Sequence, residues 1–64
     1  MGKIRRGGYV FITWIGDHGP RPVHVYRDGK LVLKWDLENG KAMSGRPTRK
    51  ILDIIEQLQQ EGLL

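Results

Sequence analysis

Apolar and β-branched residues fall in runs along this chain whose spacing changes once, near residue 48. Tyr9-Val10-Phe11-Ile12-Thr13-Trp14-Ile15 is bounded by Gly7-Gly8 and Gly16. A run of β-branched and aromatic side chains closed by glycine predicts a central strand over residues 9–15. The next segment, Gly16-Asp17-His18-Gly19-Pro20-Arg21-Pro22, mixes glycines with prolines that have no amide proton to give a ladder, which predicts a loop. Val23-His24-Val25-Tyr26 and Leu31-Val32-Leu33-Lys34-Trp35-Asp36-Leu37 then alternate. Strands with one buried face are expected there, over 23–27 and 30–37. Glu38-Asn39-Gly40 is a hairpin signal, so 41–43 predicts a short further strand, and Ser44-Gly45-Arg46-Pro47 ends the sheet.

The turn between the two alternating runs decides which side chains share a face. A two-residue Asp28-Gly29 turn pairs Tyr26 with Leu31 and splits the apolar set. A three-residue loop, Arg27-Asp28-Gly29 with Gly29 left-handed in a bulge, pairs Tyr26 with Lys30, Val25 with Leu31 and Val23 with Leu33. It gathers Val23, Val25, Leu31, Leu33, Trp35 and Leu37 on one side, and leaves His24, Tyr26, Lys30, Val32 and Lys34 on the other. This second register is the expected one.

From Thr48 the period lengthens: Ile51, Ile54, Ile55 and Leu58 recur at helical spacing, with Leu52 widening the stripe. A helix over 48–61 follows, with Thr48 as N-cap, Gly62 beyond the C-cap and Leu63 making the apolar contact that accompanies a glycine cap. Such a short helix needs a surface to pack on. The expected fold is therefore α+β: an antiparallel meander of three to four strands with one C-terminal helix on its apolar face. Leu33, Trp35, Ile51, Ile55 and Leu58 should be buried best. Either Tyr9, Phe11 and Thr13 or Val10, Ile12 and Trp14 point to the other face; the pattern alone leaves this open.

Composition narrows the functional classes. With 64 residues the chain makes one domain, 1–64, and buries only about 60% of its unfolded surface, too little for a deep catalytic cleft. There is no cysteine, which removes disulfides and thiolate zinc sites. Eleven Lys and Arg against seven Asp and Glu give +4, with 39% hydrophobic residues, the balance of a globular, mildly basic domain. No apolar run approaches the ~18 residues of a spanning helix, and Met1-Gly2-Lys3-Ile4-Arg5-Arg6 leads into a strand pattern where a signal peptide would place its apolar stretch. A cytoplasmic address is expected, with no membrane contact.

Asp17-His18-Gly19-Pro20-Arg21-Pro22-Val23-His24-Val25-Tyr26, then Asp28-Gly29, then Trp35-Asp36-Leu37-Glu38-Asn39-Gly40, resembles the bacterial family called domain of unknown function 4160. Its members share an N-terminal Gly-Tyr or Gly-Phe strand, a Pro-rich loop, a His-x-His strand, an acidic hairpin and a C-terminal helix. The likeness spans residues 7 to 62. One position departs from it: Pro22 stands where the family usually has the first histidine, so a role needing both histidines does not carry over. The family is uncharacterised. Similar genes often sit beside genes for helix-turn-helix proteins, so the resemblance implies a component of a toxin–antitoxin pair.

The candidate chemistry is sparse. Ser44, the single serine, stands in a turn sequence and reads as a turn former rather than a nucleophile. His24 shares a face with Tyr26 and Lys34 in the expected register. Such a trio could serve a metal-independent RNase, with His24 as base on a ribose hydroxyl, Lys34 against the phosphate and Tyr26 stacking or donating a proton. The plainer reading is a half-exposed strand histidine. Asp17, His18 and His24 match no zinc spacing, so neither a metal nor a cofactor is expected. Arg46, Arg49 and Lys50 crowd the positive end of the helix dipole, where acidic residues are favoured. They read either as an anion site or as partners of Asp53, at i+4 and i+3 from Arg49 and Lys50. Together these features point first to a binding protein that engages RNA or DNA through Arg46, Arg49, Lys50, Lys34, Tyr26 and His24. The alternative is a protein-interaction or homodimer module, and the third reading is the weak RNase.

Overall fold

The computed structural model describes residues 2–13 and 22–64. Five strands and one helix follow in order: β1 (Gly2–Arg6), β2 (Tyr9–Thr13), β3 (Pro22–Arg27), β4 (Lys30–Asp36), β5 (Lys41–Gly45) and α1 (Arg49–Gln60). The strands form one sheet in sequence order, with every neighbouring pair antiparallel. The α+β architecture is as expected, but the sheet has five strands rather than three to four. The extra strand is β1, whose only large apolar residue is Ile4. An edge strand that packs one side chain gives almost no periodic signal. Gly7 and Gly8, read as a strand boundary, are a two-residue turn with φ of 63° and 84°, the left-handed pair a tight hairpin needs. Trp14 and Ile15, at the end of the expected strand 9–15, lie outside the described residues.

The β3–β4 register differs from expectation. Asp28 and Gly29, both at positive φ (54° and 78°), make a two-residue turn closed by Arg27 opposite Lys30, so Tyr26 faces Leu31 and not Lys30. Between Val25 and Tyr26 the register then shifts by one residue of β4, and Val25 comes to face Leu33 and Val23 to face Trp35. This bulge at Val32 reconciles the favoured Asp-Gly turn with the buried face. Val23, Val25 and Leu33 still share the core side, while Leu31, expected there, is left 47% exposed.

Helix α1 lies on that side. Ile51, Ile54, Ile55 and Leu58 join Tyr9, Phe11, Val23, Val25 and Leu33 in one cluster, with Ile4, Val32, Trp35, Leu37, Ala42, Leu52 and Leu64 packed around it. Phe11, Val23, Val25, Leu33 and Leu58 are fully buried, each contributing about 1.5–3 kcal/mol of apolar burial. Trp35, expected among the best buried, is only half-buried, because its place near the end of β4 opposite Ala42 puts it at the rim. The choice left open for β2 falls to Tyr9 and Phe11 inward, with Val10 and Ile12 outward.

The helix ends behave as their residues dictate. Thr48 accepts a hydrogen bond from the Ile51 amide at 3.3 Å. At the other end the Gly62 and Leu63 amides donate to the Gln59 and Leu58 carbonyls at 3.0 and 2.9 Å, the paired bonds of a Schellman cap. The accompanying apolar contact comes from Leu64, since Leu63 stays 50% exposed. Arg6 and Glu61 form a two-bond ion pair that ties β1 to the end of the helix.

Leu33→Ala should cost about 2–5 kcal/mol in urea unfolding, a large share of the stability of so small a domain. Two glycine variants separate backbone strain from crowding. Gly8 and Gly45 share a φ of 84°, but a Cβ on Gly8 meets nothing within 4 Å, whereas one on Gly45 would lie 2.3 Å from the Val32 carbonyl oxygen. Gly8→Ala should therefore lose about 1–2 kcal/mol from its left-handed backbone alone, and Gly45→Ala distinctly more. Equal losses in thermal melts would disprove the close approach of β5 to the bulge.

Candidate functional site

Because β1 to β4 alternate, the face turned away from α1 is built from residues directly opposite one another on successive strands. Lys3 faces Ile12, Ile12 faces His24, His24 faces Lys34 and Lys34 faces Ser44. A second row runs from Arg5 through Val10 and Tyr26 to Leu31. Lys3 and Arg5 are exposed; Val10, Ile12, His24, Tyr26 and Lys34 are half-buried. Cations thus flank a central strip of aliphatic, aromatic and imidazole surface. Directly opposed side chains on one face stand about 4.5–5.5 Å apart at Cβ, so His24 and Lys34 are immediate neighbours.

The carboxylate whose strand position falls on this face is Asp36, and it is taken up by the hairpin beneath it. Asp36 is 2% exposed. Its Oδ1 accepts from the Glu38 and Asn39 amides at 3.0 and 3.2 Å, and its Oδ2 accepts from Asn39 Nδ2 at 2.6 Å. The Asn39 side chain, followed by the Asn39 and Glu38 amides and the charge of Lys41, holds the Asp36 carboxyl below its ordinary value of 3.8, against the opposing pull of burial. Its contribution to stability is therefore fully present above the unfolded pKa and is lost as pH falls through the lower folded value. Asp53, Glu56 and Glu61 belong to the helix and its C-cap, on the other side of the sheet.

The six candidate residues occupy two places, the helix start and the sheet face away from the helix. His24, Tyr26 and Lys34 come together on the open face. Arg46, Arg49 and Lys50 are exposed at the start of α1, on the opposite side of the sheet, in a first turn with no acidic residue. The expected pairing with Asp53 is absent among the described residues, whose ion pair is Arg6–Glu61. Lys50 instead places Nζ 5.8 Å from the Tyr9 ring centroid, and the Arg27 guanidinium approaches the same ring at 5.6 Å. Each contact is worth about 0.5–1 kcal/mol where exposed. Sequence reasoning missed Lys3 and Arg5 because it missed β1. Gly7-Gly8 between Ile4 and Phe11 was the signal that could have found them.

Burial first, and then the positive charge of Lys34, push His24 below its ordinary pKa of 6.5, so its imidazole is neutral at neutral pH. Asp17 and His18, weighed with His24 as metal ligands, lie outside the described residues. Among the described residues no three of His, Asp and Glu come together in a metal-binding group, and no helix is long and apolar enough to cross a membrane.

The chain matches no protein-family model, no curated protein and no solved structure.

The His24 environment is directly measurable. An imidazole titration by NMR should give a midpoint below 6.5, and Lys34→Ala should raise it part of the way back, because burial is the larger cause. The folded state then binds fewer protons than the unfolded chain, so His24 erodes stability as pH falls from about 6.5 towards its folded pKa. A midpoint that Lys34→Ala leaves unmoved would mean that the two side chains do not face each other.

Proposed function

We propose that this protein is a small cytoplasmic binding protein that engages single-stranded nucleic acid across the open face of its sheet. The observation that carries the reading is the charge and chemistry of that face: Lys3, Arg5 and Lys34 surround Tyr26 and His24, while the one carboxylate on it among the described residues, Asp36, is buried and spent on hairpin donors. Three strand spacings, about 14 Å, separate Lys3 from Lys34. Backbone phosphates would lie along the cations, and bases would stack on Tyr26 and the aliphatic strip. Face-to-face pairing of two copies would oppose like-charged rows, which favours nucleic acid over the homodimer module. The likeness to domain of unknown function 4160 adds that the binding serves a toxin–antitoxin pair.

A second reading, metal-independent RNA cleavage, is favoured by one feature: a neutral His24 beside the Lys34 ammonium places a base next to a phosphate-neutralising group.

Salt-titrated anisotropy with labelled single-stranded RNA and DNA tests the first reading. Lys3→Ala with Arg5→Ala should weaken binding and flatten the log–log salt slope by about 1.4 units, the loss of two single-strand phosphate contacts. Tyr26→Ala should cost about 1–3 kcal/mol of binding. The pair Arg46→Ala and Arg49→Ala should leave affinity nearly unchanged. If that pair alone weakens binding, the interface is the helix start; if nothing binds at low salt, the reading fails. RNA cleavage that survives His24→Ala removes the second reading.

A further inference from the structure

Asn39 and Gly40 lie in the exposed connection between β4 and β5, and the groups through which this dipeptide could react are held by Asp36. The Asn39 amide nitrogen donates to Asp36 Oδ2 at 2.6 Å and its backbone N–H to Oδ1 at 3.2 Å. The Gly40 N–H donates to the Asp36 carbonyl at 2.9 Å. A carboxylate only accepts, which places the NH₂ end of the Asn39 amide against it. Gly40, at φ 64° with nothing within 4 Å of a would-be Cβ, offers no side chain to shield the peptide nitrogen between the two residues.

We propose that Asn39 is a site of spontaneous deamidation that the folded hairpin keeps closed, and that conversion there opens the hairpin. The reaction needs only water. The Gly40 nitrogen, its proton lost to hydroxide, attacks Cγ of Asn39; a C–N bond forms, the Cγ–Nδ2 bond breaks, and the nitrogen leaves as ammonia with a proton from water. Water then adds to either carbonyl of the five-membered imide, leaving aspartate or isoaspartate at position 39. In the folded chain the nucleophile is committed to the Asp36 carbonyl, and the Asn39 side chain is pinned away from it by Asp36 Oδ2. Attack therefore requires local opening of the connection.

The product cannot re-form what was lost. A carboxylate at position 39 has no donor for Asp36 Oδ2 and brings a second negative charge to a residue that is almost fully buried. Isoaspartate also lengthens the backbone by one methylene within the span that the Gly40 N–H bond to the Asp36 carbonyl closes. Reclosure is disfavoured on both counts, so a slow chemical event at one exposed residue would release β5 from β4.

The test compares the whole protein at mildly alkaline pH, folded in buffer and unfolded in guanidinium chloride, by peptide mapping of ammonia loss at residue 39. Conversion should be at least about tenfold slower in the folded protein. Asp36→Asn keeps an oxygen for the Glu38 and Asn39 amides but sets an NH₂ against that of Asn39, and should convert several-fold faster than the wild type while folded. The converted wild-type fraction, separated by ion exchange, should lose hydrogen-exchange protection between β4 and β5 and keep it between β2 and β3. Equal rates in the folded and unfolded protein, or no conversion in either, overturn the proposal. So does unchanged β4–β5 protection after conversion. If Asp36→Asn does not fold, the wild-type comparison decides alone.

Discussion

A twelve-residue helix does not hold its shape in water, and the contact that holds this one is the burial of Ile51, Ile54, Ile55 and Leu58 against one face of the sheet. The remaining arrangement follows from that burial. It demands that β3 and β4 turn Val23, Val25 and Leu33 to the same side. The Asp28-Gly29 turn would forbid this by itself, and the extra residue at Val32 permits it. The bulge in turn brings β5 close enough that only a glycine fits at position 45, and the chain leaves the sheet there to enter the helix.

Covering one face defines the other. Among the described residues no second layer lies on it, and Val10, Ile12, His24 and Tyr26 are half-buried there, flanked by Lys3, Arg5 and Lys34. The helix takes Asp53, Glu56 and Glu61 to the opposite side. Exposed cations thus lie on both sides, at the sheet face and at the helix start, while the helix carboxylates lie away from the sheet face. Of the cations crowded at the start of α1, Lys50 lies over the Tyr9 ring, which it shares with Arg27 from the end of β3.

Asp36 links the two sides of this account. Its carboxylate would be the one negative group on the basic face among the described residues, yet the hairpin consumes it: Glu38 and Asn39 donate to it, and Lys41 adds favourable charge. The same bonds keep the 37–40 connection closed over Asn39 and Gly40.

Much of the architecture was legible in the order of residues. The helix, its Thr48 cap and its Gly62 exit, the alternation of β3 and β4, and the grouping of His24, Tyr26 and Lys34 all follow from local periodicity and turn chemistry, which act over a few residues. Three features do not. β1 has one apolar side chain, so its strand character comes from pairing with β2. The bulge at Val32 is a compromise between a turn that local sequence favours and a face that only the helix requires, and neither is visible from the other. The inward turn of Tyr9 and Phe11, with Val10 and Ile12 outward, depends on which face the helix covers. That choice was made by the total apolar surface each face could bury, a sum over residues distant in the chain that no local window contains.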